Sequence, residues 1–170
     1  MNRLMTSLLV ATTLAGVAIV LATATSLPDP VASHFGGGGH ANGWMTRDGY
    51  RLFMLGMLVA VPWLVYGACA LSASGASLCR MRNGDYWLAP ARRTETIATM
   101  RRFGAIAGVL ISALLVGVHL AVLDAHRRQP PQLDEGALIA GLVAFVVAIA
   151  ALAIAHGLRF RRPREAGPRR

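Results

Sequence analysis

Asp29, His34 and His40 lie close together between two long apolar runs. Carboxylate and imidazole are the oxygen and nitrogen ligands that zinc accepts, and a spacing of six lets two histidines meet across a turn. A structural zinc site takes four ligands, so this loop alone is short of a set. His119 and His126 could complete it if the chain folds back. The chemistry would then be that of a metal-binding membrane enzyme or carrier using Asp29, His34, His40 and His119. The competing reading has these histidines bonding loop backbone and lipid headgroups. The four glycines at 36–39 lack the following Lys and Ser/Thr of a phosphate-binding loop, which excludes that chemistry. No HExxH, Ser/His/Asp arrangement, paired carboxylates or CxxC is present, so the expectation is a protein that is not an enzyme, with no cofactor and no metal assigned.

The elements that must position these residues follow from where charge is missing. The chain has 170 residues, 55% of them hydrophobic and 15% charged, with mean hydropathy +0.50. A soluble domain carries more charge. No charged side chain occurs in residues 4–28, 52–79, 103–123 or 136–158. Each run is long enough to cross the hydrocarbon core as a helix, which needs about 20 residues. None alternates as a barrel strand would. The expected fold is an all-α membrane protein with four transmembrane helices near 4–24, 52–71, 103–123 and 137–155, arranged as two antiparallel hairpins. The expected organisation is 1–72 (span, external loop, span), 73–102 (a cytoplasmic loop with a short interfacial helix), 103–156 (a second hairpin) and 157–170 (a basic disordered tail).

The net charge is +9, and every basic residue is arginine. Arg3, six arginines between spans two and three, and six after span four fall on one side of the bilayer. Arg47, Arg51, Arg127 and Arg128 fall on the other. Thirteen against four is the positive-inside asymmetry. It puts both termini in the cytoplasm and the loop at 26–44 outside. It also turns the basic charge toward anionic lipid headgroups and excludes nucleic acid as a partner. One alternative stays open: Ala22-Thr23-Ala24 after a basic start and an apolar run has the form of a signal-peptidase site. Cleavage there would leave three spans.

Inside the spans, Pro62 should kink the second helix. Gly104, Gly108 and Ser112 form a small-residue ladder on span three, continued by His119, and Ala140, Ala144 and Ala148 form one on span four. These faces are expected to pack span three against span four. An ionisable residue within a span is a functional candidate by default, which singles out His119, although a histidine near a helix end can reach the interface. Asn83-Gly84 signals a turn, Tyr86 and Trp87 suit the headgroup layer, and Pro90 suits the first turn of a helix running into span three. His156 reads as interfacial. Cys69 and Cys79 both fall on the cytoplasmic side, so no structural disulfide is expected.

The loop sequence "LPDPVASHFGGGGHANGWMTR" resembles the signature of a bacterial membrane family of unknown function, best known as the N-terminal part of Sdp-type toxin-immunity membrane proteins. The family pattern falls on Leu27, Pro28, Asp29, Val31, His34, Phe35, Gly39, Gly43, Trp44 and Arg47 without a gap. The chain departs from it at Ala32 (usually Pro), Gly36 (usually Asn or Asp) and His40 (usually acidic). "DYWLAPARR", from Asp85 to Arg93, is similar to a cytoplasmic-loop motif of longer relatives. The resemblance implies a multi-pass protein of the bacterial cytoplasmic membrane whose external loop is a compact cap over the bundle. In that cap Phe35 and Trp44 rest on the bundle or the headgroups, Gly39 and Gly43 allow tight turns, and His34 pins the loop. Leu27, Pro28, Asp29, His34, Phe35, Gly39, Gly43, Trp44 and His119 are therefore the candidate binding residues. A membrane-active peptide is the candidate partner of the loop; alternatively the chain is an accessory subunit whose small-residue faces on spans three and four pack against a larger membrane complex.

Overall fold

The computed structural model describes residues 2–72 and 83–161. Cys79, and all but the first residues of the basic tail, lie outside them. Four helices are long and apolar enough to cross a membrane: α1 (Asn2–Thr23), α2 (Arg47–Leu71), α4 (Pro90–Ala125) and α5 (Glu135–Arg159). A one-turn helix, α3 (Gly84–Trp87), precedes α4. The expectation of an all-α fold is corrected at one place. The loop between α1 and α2 holds an antiparallel pair, β1 (Val31–Phe35) and β2 (Ala41–Met45).

Local chemistry explains the boundaries. Pro28 and Pro30 end the helical stretch after α1, because proline cannot continue the backbone ladder. The Thr46 hydroxyl caps α2 by accepting from the Gly49 N–H at 3.1 Å. Asp134 caps α5 by accepting from the Ala137 N–H at 3.0 Å. Pro90 opens α4, whose 36 residues span about 54 Å at 1.5 Å per residue. That exceeds the hydrocarbon thickness, so α4 carries the arginines before residue 103 beyond the apolar layer.

α4 is the hub. Of the other three long helices it packs most broadly on α2, then on α1, and least on α5. Gly108 lies against Leu9 of α1 and the Pro62 carbonyl of α2, and Gly104 against Tyr66 and Cys69. Gly16 of α1 sits between Leu58 and Val116. The small-residue ladder thus serves α1 and α2, which corrects the expectation that it serves span four. Ala140 and Ala144 are exposed, and α5 has no buried residue. α2 runs unbroken through Pro62, which is buried with its carbonyl against Gly108 of α4. Two threonines of α1 are bonded, one locally and one across helices: Thr12 donates to the Leu9 carbonyl at 3.0 Å, and the Trp63 indole N–H donates to Thr13 at 3.3 Å.

At the arginine-rich end, α3 folds onto the end of α5. The Trp87 indole N–H donates to the Phe160 carbonyl at 3.0 Å, and the Asn83 amide donates to it at 3.1 Å. Trp87 and Phe160 meet edge to face at 5.4 Å. Trp87, expected among the headgroups, therefore closes an internal clasp. His156 lies half-buried between Phe103 and Phe160, at 4.2 and 4.7 Å.

Candidate functional site: the outer cap and the histidine beneath it

The cap begins with the hairpin. Val31 pairs with Met45, Ala32 with Trp44, His34 with Gly43 and Phe35 with Ala41, with the register shifting on either side of His34. Val31 and Ala32 are fully buried, and Leu27 nearly so. Leu27 and Val31 join Val20, Ala24, Tyr50, Met54, Leu58 and Val122 in one apolar cluster against which Phe35 and Met45 also rest. The hairpin is thereby fastened to the tops of α1, α2 and α4 by burial of apolar surface, worth about 25 cal/mol per Å².

The glycine run makes the turn. Gly38 and Gly39 have φ of +77° and +71°, the left-handed region that side chains avoid. The connection between α4 and α5 holds them there. The Leu133 N–H donates to the Gly39 carbonyl at 2.8 Å, and the Gln132 amide donates to the Gly38 carbonyl at 2.9 Å. The Gly39 N–H donates to Glu135 Oε1 at 3.0 Å. A Cβ on Gly39 would stand 2.2 Å from the Leu133 carbonyl oxygen. The two loops are one structure.

His126 supplies the second fastening. Its Nδ1 lies 2.8 Å from the Val122 carbonyl, which can only accept, so Nδ1 carries the proton. Nε2 is left to accept from the Ala32 N–H at 3.0 Å. His34, expected to pin the loop, is exposed and bonds to neighbouring Ser33 at 3.1 Å. Asp29 accepts from the Arg47 N–H at 3.2 Å and so ties the entry of the hairpin to the start of α2. Gly43 is not in a turn. It faces His34, whose Cβ would be 2.9 Å from any side chain placed there. Pro28 and His40 are exposed, and Trp44 stands 52% exposed on the hairpin rather than on the bundle.

Directly beneath lies His119, fully buried rather than reaching the interface. The Thr23 hydroxyl donates to the Ile19 carbonyl at 2.6 Å, so its oxygen is the acceptor for His119 Nε2–H at 2.8 Å. His119 Nδ1 then accepts from the Tyr50 hydroxyl at 2.9 Å, and the two rings stack with centroids 5.7 Å apart. One neutral tautomer satisfies every group, which is what burial at membrane depth demands. The relay joins the ends of α1, α2 and α4.

The structure does not bring Asp29, His34, His40 and His119 together, and among the described residues no three His, Cys, Asp or Glu side chains converge as a metal site would require. Thr23, Tyr50, Gln132, Leu133 and Glu135 were not singled out by sequence. A signal for two of them exists: a histidine at membrane depth needs partners, and Thr23 and Tyr50 lie at the ends of the neighbouring spans nearest to it.

Residues 11–60 match the family model described as "Domain of unknown function (DUF1648)". The match begins in the first half of α1, takes in the whole hairpin and ends midway along α2. No curated protein and no solved structure matches the chain.

Proposed function

We propose that this chain is a multi-pass protein of the bacterial cytoplasmic membrane with both termini in the cytoplasm. Its outer cap recognises a membrane-active molecule, a peptide above all, in an envelope-protective, immunity-like role. The role is binding rather than catalysis, with neither metal nor cofactor. Thirteen arginines against four support the orientation. The resemblance of the loop to the N-terminal part of Sdp-type immunity proteins supports the role.

The observation that carries the reading is the construction of the cap. Two loops distant in sequence hold a glycine turn in a single conformation, and Trp44 projects from it half-exposed. A fixed backbone with an exposed aromatic is how binding surfaces lower the ordering cost of recognition. The polar groups under the cap bond one another, which fits support of that surface better than chemistry on a substrate.

The test is a challenge of cells lacking the protein with a panel of membrane-active peptides. Increased sensitivity to at least one peptide is expected, restored by the wild-type gene and not by Trp44→Ala. Unchanged sensitivity across the panel counts against the reading.

A further inference from the structure

Cavities lie along the seam between α4 and α5. The one near the arginine-rich end has a volume of about 480 Å³. Its deep half is apolar, walled by Phe103, Ile106, Leu152 and Ala155. Its other half carries Thr99, Arg102, His156, Arg159 and Glu95. Glu95 is paired with Arg159, and the Thr99 hydroxyl donates to the Glu95 carbonyl at 3.0 Å. His156 stacks on Phe103. Arg102 is exposed and has no hydrogen-bond or ion-pair partner among the described residues. Arg101 beside it is exposed as well.

A second cavity, of about 580 Å³, continues along the same seam. It starts at Leu110 and Ala148, one turn beyond Ile106 and Leu152, a rise of about 6 Å. The seam therefore holds two largely apolar cavities in succession, bounded by Asp124 and Asp134 at one end and by Glu95, Arg102 and Arg159 at the other, where the Arg102 guanidinium is without a carboxylate partner among the described residues.

We propose that this seam is a binding site for an anionic phospholipid, with the headgroup phosphate on Arg102 beside Thr99 and an acyl chain lying between α4 and α5. Basic pockets between membrane helices select lipid in this way. A choline or ethanolamine headgroup would bring a cation to a basic end, so the site favours headgroups without one. The lipid also supplies the packing that α5, with no buried residue of its own, does not get from protein.

The test uses the full chain in mild detergent, incubated with equal amounts of dioleoyl phosphatidylglycerol and dioleoyl phosphatidylcholine and read by native mass spectrometry. Retained phosphatidylglycerol should exceed phosphatidylcholine by about five-fold, the preference that one basic residue at a membrane surface confers. Arg102→Gln should bring the ratio near one, and Arg102→Lys should restore most of it. Leu152→Trp, which fills the apolar half, should lower retention of both lipids. Arg51→Gln, at the opposite end, should change nothing. Equal retention in the wild type, or a ratio unmoved by Arg102→Gln, overturns the proposal. So does displacement of phosphatidylglycerol by millimolar inorganic phosphate, which would make this a site for a soluble anion.

Discussion

α1, α2 and α4 on one hand, and α5 on the other, are built to opposite plans. The first three meet through glycines set against backbone and side chains, with Gly108 on the Pro62 carbonyl and Gly104 on Tyr66, and a buried Thr23–His119–Tyr50 relay ties their outer ends. α5 has no fully buried residue, and no atom outside its own helix backbone and chain neighbours comes within 4 Å of a Cβ placed on Gly141 or Gly157. It is fixed by polar contacts at its ends, Glu135 to Gly39 at the cap and the Phe160 carbonyl to Trp87 at the arginine-rich end. In a bilayer, apolar surface gains little by leaving lipid, so close packing and hydrogen bonds decide what associates firmly. By that rule the three-helix unit is the rigid scaffold of the cap, and α5 is an arm whose N-terminal end locks it.

The sharpest way to break this contrast is to add side chains to glycines on the two sides of it. Gly108→Leu would drive carbon into Leu9, whose Cδ1 lies 2.8 Å from the new Cβ, and against the Pro62 carbonyl at 3.2 Å. A loss of about 3 kcal/mol or more is expected from such overpacking. Gly117→Leu and Gly141→Leu, with open space around them, should stay within about 0.5 kcal/mol of wild type. Melting of the purified proteins followed by size-exclusion chromatography checks this. Comparable losses at Gly108 and Gly141 would erase the distinction.

The cap offers a second matched pair, with a smaller effect. Gly39→Ala meets the Leu133 carbonyl and a positive φ together, so about 2 to 3 kcal/mol of strain and lost hydrogen bonds is expected. Gly37→Ala two residues away has nothing within 4 Å and should be near neutral. Equal effects would mean that the strap from the second loop does not hold the turn.

Smaller still is the relay. Tyr50→Phe keeps the ring but removes the hydroxyl that His119 Nδ1 accepts from, at about 1 to 2 kcal/mol for a buried group left unpaired. His119→Leu should cost somewhat more, and the double variant less than the sum, because the two changes remove one interaction. Simple additivity in that cycle would show the two side chains to be uncoupled.

How much of this was legible in sequence divides along the same line. The charge-free intervals mark all four helices, and Pro90 marks the helix that runs on into the third span, because these signals are local. The hairpin was hidden by its glycines, which carry no strand preference and become ordered only through Leu133 and Glu135, more than 90 residues on. The ladder of Gly104, Gly108 and Ser112 showed that α4 approaches something closely. Spacing on one helix says nothing about which neighbour, and the short connection to α5 suggested the wrong one. His119 was marked by its chemistry alone; its need for partners pointed to the span ends nearest it, and the meeting of three helices there selects Thr23 and Tyr50. His34 carried the resemblance, yet the fastening falls to His126.

The most direct measurement is hydrogen–deuterium exchange, read by mass spectrometry, on the membrane-embedded protein. Peptides carrying the Ala32, Gly39 and Leu133 amides should exchange on the order of 100-fold more slowly than an open loop, as amides held in a folded unit do. His126→Ala should speed the Ala32 peptide and leave that of Leu133 nearly unchanged. Exchange at the open-loop rate across residues 31–45 in the wild type would contradict a cap preformed by its two loops.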